Sequence, residues 1–416
     1  GVPHPFTGTA SDPNAPWNSG VRRVDIRISY LLGNDTWYWQ TNQFSSGAAV
    51  SNGGYFEAAD QDSWFSVAAV AWRSGIDTQY KIEARAEDSA TLADGTATAG
   101  SGNLNTPQSQ GVNINEFIID DTPPTVALSA PSGNSVITLT SIIGTANANL
   151  SGLSKVEVRL QRQVDSWEWT GSSWTSTVGI YSTATLSGVN DNVSWYYDDL
   201  SGAFENDRQY KLYLKVTDLA GNTRQAPGGG DATFTVDNQA PALTISFPAA
   251  PPVDPPYSNN AESVRLSTYT EGTVSDPNTN ASGISQVWVA ISSGLLQNIW
   301  WNDGARAFNV SQSSIFWSTQ VYLSGNTWSY KPAEWSGSGL QDGVFYTIFV
   351  HAKDHAGNTV NYAAGMLPSA ASASQLQPFK YDVGRPTSTV SSPVNGSNKK
   401  SVASFSGNAL DTGTGF

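Results

Sequence analysis

The chain has no cysteine in 416 residues, which removes disulfides and thiolate metal sites together. Three histidines and one methionine leave little from which to build an imidazole-based catalytic or metal constellation. Charged residues make up only 13 % of the chain, with 35 Asp and Glu against 21 Lys and Arg. An acidic surface repels phosphate backbones, so nucleic acid is not an expected partner. No apolar run reaches the roughly 18 residues of a membrane-spanning helix, and direct membrane insertion is not expected. The chain starts at Gly1-Val2 without Met or a signal segment, so it is expected to be a mature protein or a fragment, and no cell anchor is expected within these residues.

What is abundant points one way. With 38 Gly, 21 Pro, prominent Thr, Ser, Asn and Trp, and few apolar patterns of helical length, the natural class is all-β. The same composition suits a secreted protein with a neutral, polar outer face. At this length several domains are expected.

A repeat supplies the division. Phe-x-x-Asp-x-x-x-Pro occurs three times, at Phe117/Asp120/Pro124, Phe234/Asp237/Pro241 and Phe379/Asp382/Pro386. Upstream of each copy lies a Tyr, then apolar residues at alternate positions, then Asp: Tyr80 to Asp88, Tyr210 to Asp218 and Tyr346 to Asp354. Period-two alternation is the mark of a strand with one buried face. Two copies run into Ala-Gly-Asn, at Ala220-Gly221-Asn222 and Ala356-Gly357-Asn358, where Gly and Asn tolerate positive φ. The first copy reads Asp88-Ser89-Ala90, so its turn is expected to have another geometry. A third landmark, Gly8-Thr9-Ala10, Gly144-Thr145-Ala146 and Gly272-Thr273-Val274, stands ahead of the strands Val24-Ile26-Ile28, Val156-Val158-Leu160 and Val287-Val289-Ile291.

The units are therefore 1–120, lacking its first strand; 121–237, complete; 238–382, complete with longer loops; and 383–416, the first two strands of a further unit. In the second unit strands are expected near 125–128, 136–143, 156–160, 167–169, 181–186, 193–197, 210–216 and 232–236, the strand density of a β-sandwich. An Asp precedes each landmark Tyr by three or four residues (Asp77-Tyr80, Asp207-Tyr210, Asp342-Tyr346). This resembles the tyrosine corner of immunoglobulin-like sandwiches, where the phenol hydroxyl reaches back to upstream backbone. With the Asp-x-Ala-Gly-Asn turn and the Phe-x-x-Asp closure, the chain resembles the bacterial Ig-like repeats of surface adhesins, stalks and extracellular fibres over nearly its whole length. The missing Cys, and the absence of a fixed Trp on the third strand, exclude antibody-type domains. The resemblance implies tandem Ig-like sandwiches at the bacterial cell surface.

Each unit also carries an aromatic hairpin: Trp37-Tyr38-Trp39 then Phe44, Trp167-Glu168-Trp169 then Trp174, and Trp300-Trp301 then Phe308, with a further Trp at Trp64, Trp195 and Trp328. Flat rings suit pyranose faces, so Trp37, Trp39, Trp167, Trp169, Trp300 and Trp301 are the candidate glycan-stacking residues. The preferred alternative is that they fill the sandwich, because they recur in every unit. The third unit is longer through residues 249–256 and 363–377, both read as loops.

The ends look complementary. Only seven residues precede Gly8, whereas 23 residues of the second unit precede Gly144, and at the tail residues 386–393 read as the first strand the head lacks and 401–409 as a second strand. One chain's tail would then complete another's head by strand addition, with Thr387, Thr389, Val390, Val402 and Phe405 as donor residues and Phe6, Val24, Ile26 and Ile28 as acceptors. Such a contact is heterologous and propagates into a filament. The competing explanation is a segment cut from a longer repeat polypeptide.

Chemistry is thin. His351 and His355 lie on an outward strand phase and in a turn, and His4 near the terminus. The carboxylate pairs Asp120-Asp121 and Asp198-Asp199 sit in linkers or turns, giving no glycosidase pair. Gly228-Gly229-Gly230 lacks the Lys-Ser/Thr of a phosphate loop. Lys is scarce and lies mainly on polar phases, at Lys81, Lys211 and Lys353, so no isopeptide crosslink is expected. The one metal candidate is calcium between units, bound by closing Asp120, Asp237 and Asp382 together with turn Asp88, Asp218 and Asp354; an Asp before a turn commonly bonds only local backbone. The chain thus reads as a non-enzymatic structural protein with itself, or neighbouring repeats, as partner. The alternatives are an adhesin or carbohydrate-binding array, or a spacer of a large exported enzyme.

Overall fold

The computed structural model describes residues 6–13, 19–40, 42–47, 51–60, 63–65, 70–90, 102–105, 107, 109–188, 192–247, 263–264, 270–293, 299–312, 314–318, 321–331, 339–360, 376–381 and 385–410. The protein is all-β, an array of Ig-like sandwiches. In the second unit one sheet runs, in spatial order, through Ser135–Val136, Ala232–Val236, Arg208–Asp218, Leu153–Arg162, Glu168–Trp169 and Trp174–Thr175. The facing sheet holds Thr185–Ser187, Asn192–Tyr197, Ile142–Asn147 and Thr125–Ala130. Period-two alternation builds the core between them. Val156 pairs with Val216, Val158 with Leu214 and Leu160 with Leu212, and all six side chains are at most 2 % exposed.

The expected strand over 136–143 is two separate strands. Ser135–Val136 runs parallel to Ala232–Val236 in one sheet, while Ile142–Asn147 pairs in the other. The chain crosses between sheets over 137–141, so those residues have no ladder to join.

The third unit repeats the plan, with Ser263–Val264, Leu376–Tyr381, Phe345–Asp354, Ile284–Ser293, Ile299–Asn302 and Ala307–Ser311 facing Ala242–Leu243, Thr270–Ser275, Thr327–Tyr330 and Val321–Ser324. Of its two long loops, residues 249–256 and 363–375 lie outside the described residues, and 376–377 open the Leu376–Tyr381 strand. In the first unit Gln43–Ser46, Asp35–Gln40, Val21–Leu32, Thr78–Asp88 and Ile114–Ile119 form the large sheet. Its facing sheet, among the described residues, is only Thr7–Thr9 paired with Ser63–Phe65. Thr387–Ser392 and Ser406–Leu410 form a hairpin on their own. Val402, expected within its second strand, precedes that strand and is 42 % exposed.

The three signatures acquire physical causes. Tyr80, Tyr210 and Tyr346 are at most 1 % exposed, and their hydroxyls accept backbone hydrogen bonds from Arg73 (3.1 Å), Glu205 (2.8 Å) and Gln341 (2.8 Å). Burial raises the pKa of all three phenols, which keeps them neutral. Directly across the sheet stand Phe117, Phe234 and Phe379, with ring centroids 5.6–5.8 Å away. The Phe of Phe-x-x-Asp is therefore the cross-strand partner of the Tyr, and in the first two units the Asp three residues later, Asp120 or Asp237, follows at the junction with the next unit.

The Gly-Thr landmark is a packing device. A Cβ on Gly144 would lie 2.1 Å from the Ala127 carbonyl oxygen and 2.6 Å from the Trp195 ring. On Gly272 it would lie 1.9 Å from the Thr244 oxygen and 2.7 Å from Trp328 Nε1. Glycine lets the first strand's carbonyl and an indole share one small volume.

The aromatic hairpins are largely core. Trp39, Trp169, Trp300 and Trp301 are 1–4 % exposed, which corrects their assignment as glycan-stacking rings: a buried ring offers no face to a sugar. Trp169 Nε1 donates to Asp199 O at 2.6 Å and Trp300 Nε1 to Gln312 O at 3.0 Å. Trp37 is half-buried and stacks on Tyr30 at 6.2 Å, and Trp167 is 40 % exposed.

His351 does point outward, but Trp288 and Trp317 cover it at 5.1 and 5.6 Å. Burial lowers its pKa. The unfolded chain then takes up this proton at higher pH than the folded chain does, so stability falls as pH drops through about 6.5 towards the lower folded value, by at most about 1.4 kcal/mol per pH unit. Denaturant melts at pH 7.5 and 5.0 should show that loss in the third unit, and His351→Phe should flatten it. An unchanged slope in the variant would assign the dependence elsewhere.

Candidate functional site at the unit junctions

The Arg208–Asp218 and Phe345–Asp354 strands each end in an Asp followed by a tight turn, in which Gly221 and Gly357 have φ of 95° and 106°. The Asn that follows closes the loop on both sides of the peptide. In the second unit Asp218 N donates to Asn222 O at 3.1 Å and Asn222 N to Asp218 Oδ1 at 2.8 Å. In the third the same bonds join Asp354 and Asn358 at 3.1 and 2.8 Å.

This pins the Asn amide at the tip of its unit, where it meets the preceding unit. Asn222 Nδ2 donates to Asp120 O at 2.9 Å and to Asp218 Oδ2 at 3.0 Å. Asn358 Nδ2 donates to Asp237 O at 2.7 Å and to Asp354 Oδ2 at 2.8 Å. The two amide hydrogens thus tie the closing Asp of one unit to the turn Asp of the next. Sequence reasoning took this Asn as turn chemistry and missed its reach across the junction; its recurrence four residues after Asp218 and Asp354 was the available signal.

The pairing is offset by one unit. Asp120 meets the turn of Asp218, and Asp237 that of Asp354, so Asp88 does not join Asp120. Asp88 has a partner of its own. Asn103 N donates to Asp88 Oδ1 at 2.8 Å, Asn103 Nδ2 to Oδ2 at 2.7 Å, and Asp88 N to Asn103 O at 3.1 Å. These are the bonds of the other two turns, with the Asn supplied 15 residues on rather than four. Asp382 lies outside the described residues.

The second junction is the richer in oxygen. Asp237, Asp276 and Asp354 each bring one carboxylate oxygen within 4.8 Å of the others. Asp237 and Asp354 are 0 and 1 % exposed. Asp237 accepts from Asn278 Nδ2 (2.8 Å) and Ser282 N (2.9 Å), and Asp276 Oδ2 from Gly283 N (2.8 Å). Asp276 Oδ1 is buried and has no hydrogen-bond partner. Burial, then the Asp237 and Asp354 charges, push the Asp276 pKa up, so the site is short of positive charge. Asp276 was missed by sequence reasoning, although it opens a run rich in Asn and Ser, 276–283, that wraps the end of the second unit. At the first junction Asp120 Oδ2 and Asp77 Oδ1 are buried without partners, and burial, then the neighbouring Asp120, raises the Asp77 pKa.

Among the described residues no helix is long and apolar enough to cross a membrane. No protein-family model matches the chain, and no curated protein matches it. Solved structures similar to it include the FN1–FN3 domains of chicken CNTN1, at 13 % identity over 86 % of this chain and 93 % of that one, TM-score 0.24. A 1.5-MDa bacterial ice-binding adhesin is 16 % identical over 87 and 89 %, TM-score 0.25. The sialic acid binding region of a Streptococcus sanguinis SK1 adhesin is 11 % identical over 63 and 78 %, TM-score 0.19.

Proposed function

We propose that this chain is a non-enzymatic, extracellular structural protein, a stiff stalk or filament segment of a bacterial surface that assembles head to tail by strand donation. The observation that carries the reading is the Asn latch, which ties the two described junctions through the same amide. A passive linker between independent domains needs no such bond. The four buried indoles weigh against a carbohydrate-binding array as the main role. In solution scattering the chain should show one extended maximum dimension. Asn222→Ala with Asn358→Ala should broaden the distance distribution and cost about 1–3 kcal/mol per junction in unfolding free energy. A distribution unchanged by both substitutions would reject the stalk reading.

Calcium fits the second junction, since three carboxylates, one with a buried unpartnered oxygen, are hard oxygen donors for a cation that prefers them. Asp237, Asp276 and Asp354 would hold it, and it would neutralise charges that otherwise repel. A hundredfold excess of Ca²⁺ over its Kd should stabilise the third unit by about 2.7 kcal/mol relative to EDTA. Asp276→Asn should remove that gain. No shift in the wild-type chain would leave the latch as hydrogen bonds alone.

A further inference from the structure

Among the described residues, the first unit carries a groove of about 530 Å³ where its neighbours carry a strand. It is lined by Phe6, Ala10, Ile82, Ala84, Ala86 and Trp64, the last paired with Gly8 across the small sheet. In the second unit Thr125–Ala130 fills this place, laying Val126 and Leu128 on the core. In the third, Ala242–Leu243 and the residues after it do so, with Leu243 and Ile245. The positions matching Ala84 and Ala86 are Leu214 and Val216, and Val350 and Ala352, all at most 1 % exposed, whereas Ala84 and Ala86 remain partly open. Val24, Ile26 and Ile28, expected to receive a donor, are 0–1 % exposed and already core; only Val24 reaches the groove.

Gly8 shows what is missing. At Gly144, Gly272 and Gly407 a Cβ would strike a first-strand carbonyl, that of Ala127, Thr244 or Thr389, at 1.9–2.1 Å. At Gly8 the three nearest atoms all belong to Trp64. Among the described residues, Gly8 therefore keeps the room for a carbonyl without the carbonyl. In the third unit that carbonyl, Thr244 O, accepts from Trp328 Nε1 at 3.0 Å.

We infer that this groove is a strand acceptor and that its occupant is the Thr387–Ser392 strand of a second copy. The inference rests on the stalk reading and names its contact. The donor has the matching sequence, since Pro386-Thr387 and Ser392-Pro393 align with Pro124-Thr125 and Ala130-Pro131. It has the matching register as well, with Val390 opposite Gly407 as Leu128 is opposite Gly144. Among the described residues nothing covers it: Thr387 and Thr389 are exposed, and Val390 and Phe405 are 74 and 79 % exposed. Transfer exchanges Ser406–Leu410 for Thr7–Thr9 as ladder partner, sets Val390 opposite Gly8, and brings Thr389 O to Trp64 Nε1. The sequence spacing carries the latch too, because Asp382 stands five residues ahead of Thr387 as Asp120 does ahead of Thr125. Asn103, pinned to Asp88, is the amide at the receiving end.

The test uses the full chain and a labelled peptide of residues 384–394. Sedimentation should show linear oligomers growing with concentration, and Val390→Arg, a change at an exposed position, should leave monomers with an unaltered melt. The peptide should saturate one site per chain, shift the Trp emission, and lose at least tenfold in affinity when it carries Val390→Arg or when Trp64 is changed to Phe. A chain that stays monomeric while binding the peptide overturns the second copy as occupant. A chain that neither associates nor binds the peptide overturns the groove. Scattering on the monomer decides the stalk reading independently of either result.

Discussion

Trp328→Ala should remove about 3–5 kcal/mol from the third unit, a large share of the 5–15 kcal/mol by which a domain is ordinarily stable. The ring is fully buried, lies over Gly272, and satisfies the Thr244 carbonyl through Nε1 at 3.0 Å. Truncation leaves a cavity and an unpaired carbonyl together. The cavity has no cheap repair, because a Cβ on Gly272 would still lie 1.9 Å from Thr244 O. Gly272→Ala on the same background should therefore worsen the loss. Trp64→Ala should cost less, since Trp64 is 8 % exposed and borders a groove that is already open. Denaturant unfolding checks both, and a loss under about 1 kcal/mol at Trp328 would mean that the indole is not what seals the sandwich.

Glu168→Ala should cost the second unit a comparable amount, about 3–5 kcal/mol. Glu168 has no exposed surface, and its carboxylate takes Arg159 Nε at 2.9 Å on one oxygen and Ile180 N at 2.7 Å on the other. Arg159 is held between this carboxylate and the Tyr213 ring, 4.4 Å away. Removing the anion alone strands a mostly buried guanidinium and a backbone N–H. Replacing both partners, as Arg159→Met with Glu168→Leu, should recover most of the loss, since a buried ion pair gains little over well-packed apolar groups. If the double variant melts no higher than Glu168→Ala, the pair is giving more than mutual neutralisation.

Much of this fold was legible because its signals are periodic. The Tyr-to-Asp strands put apolar residues at every second position, with Tyr213 and Phe349 buried on the other phase as well, and the corner hydroxyl bonds follow from one buried Tyr with a short return of backbone before it. What was hidden depended on contacts distant in sequence. Asn222 reaches Asp120 over 102 residues and Asn358 reaches Asp237 over 121, and no local pattern states which unit an amide will face. Asn103 was invisible for another reason: it stands 15 residues after its Asp and not four, beyond the reach of motif spacing. The aromatic hairpins misled because Trp169 and Trp167 differ by two positions in sequence yet by 3 against 40 % in exposure, the first inside a strand and the second just before it.

The one-unit offset of the latch has a consequence for the order in which the chain acquires its structure. Asp237 belongs to the second unit by its strand, yet the groups that enclose it, from Asn278, Ser282 and Asn358, all come from the third. A chain emerging amino end first closes the second sandwich before those groups exist outside the channel that delivers it. Asp237 therefore stays hydrated until the third unit has folded, and that carboxyl-terminal neighbour completes the end of the second unit. Fraying should accordingly run from the carboxyl end inward, each loss uncapping the unit before it.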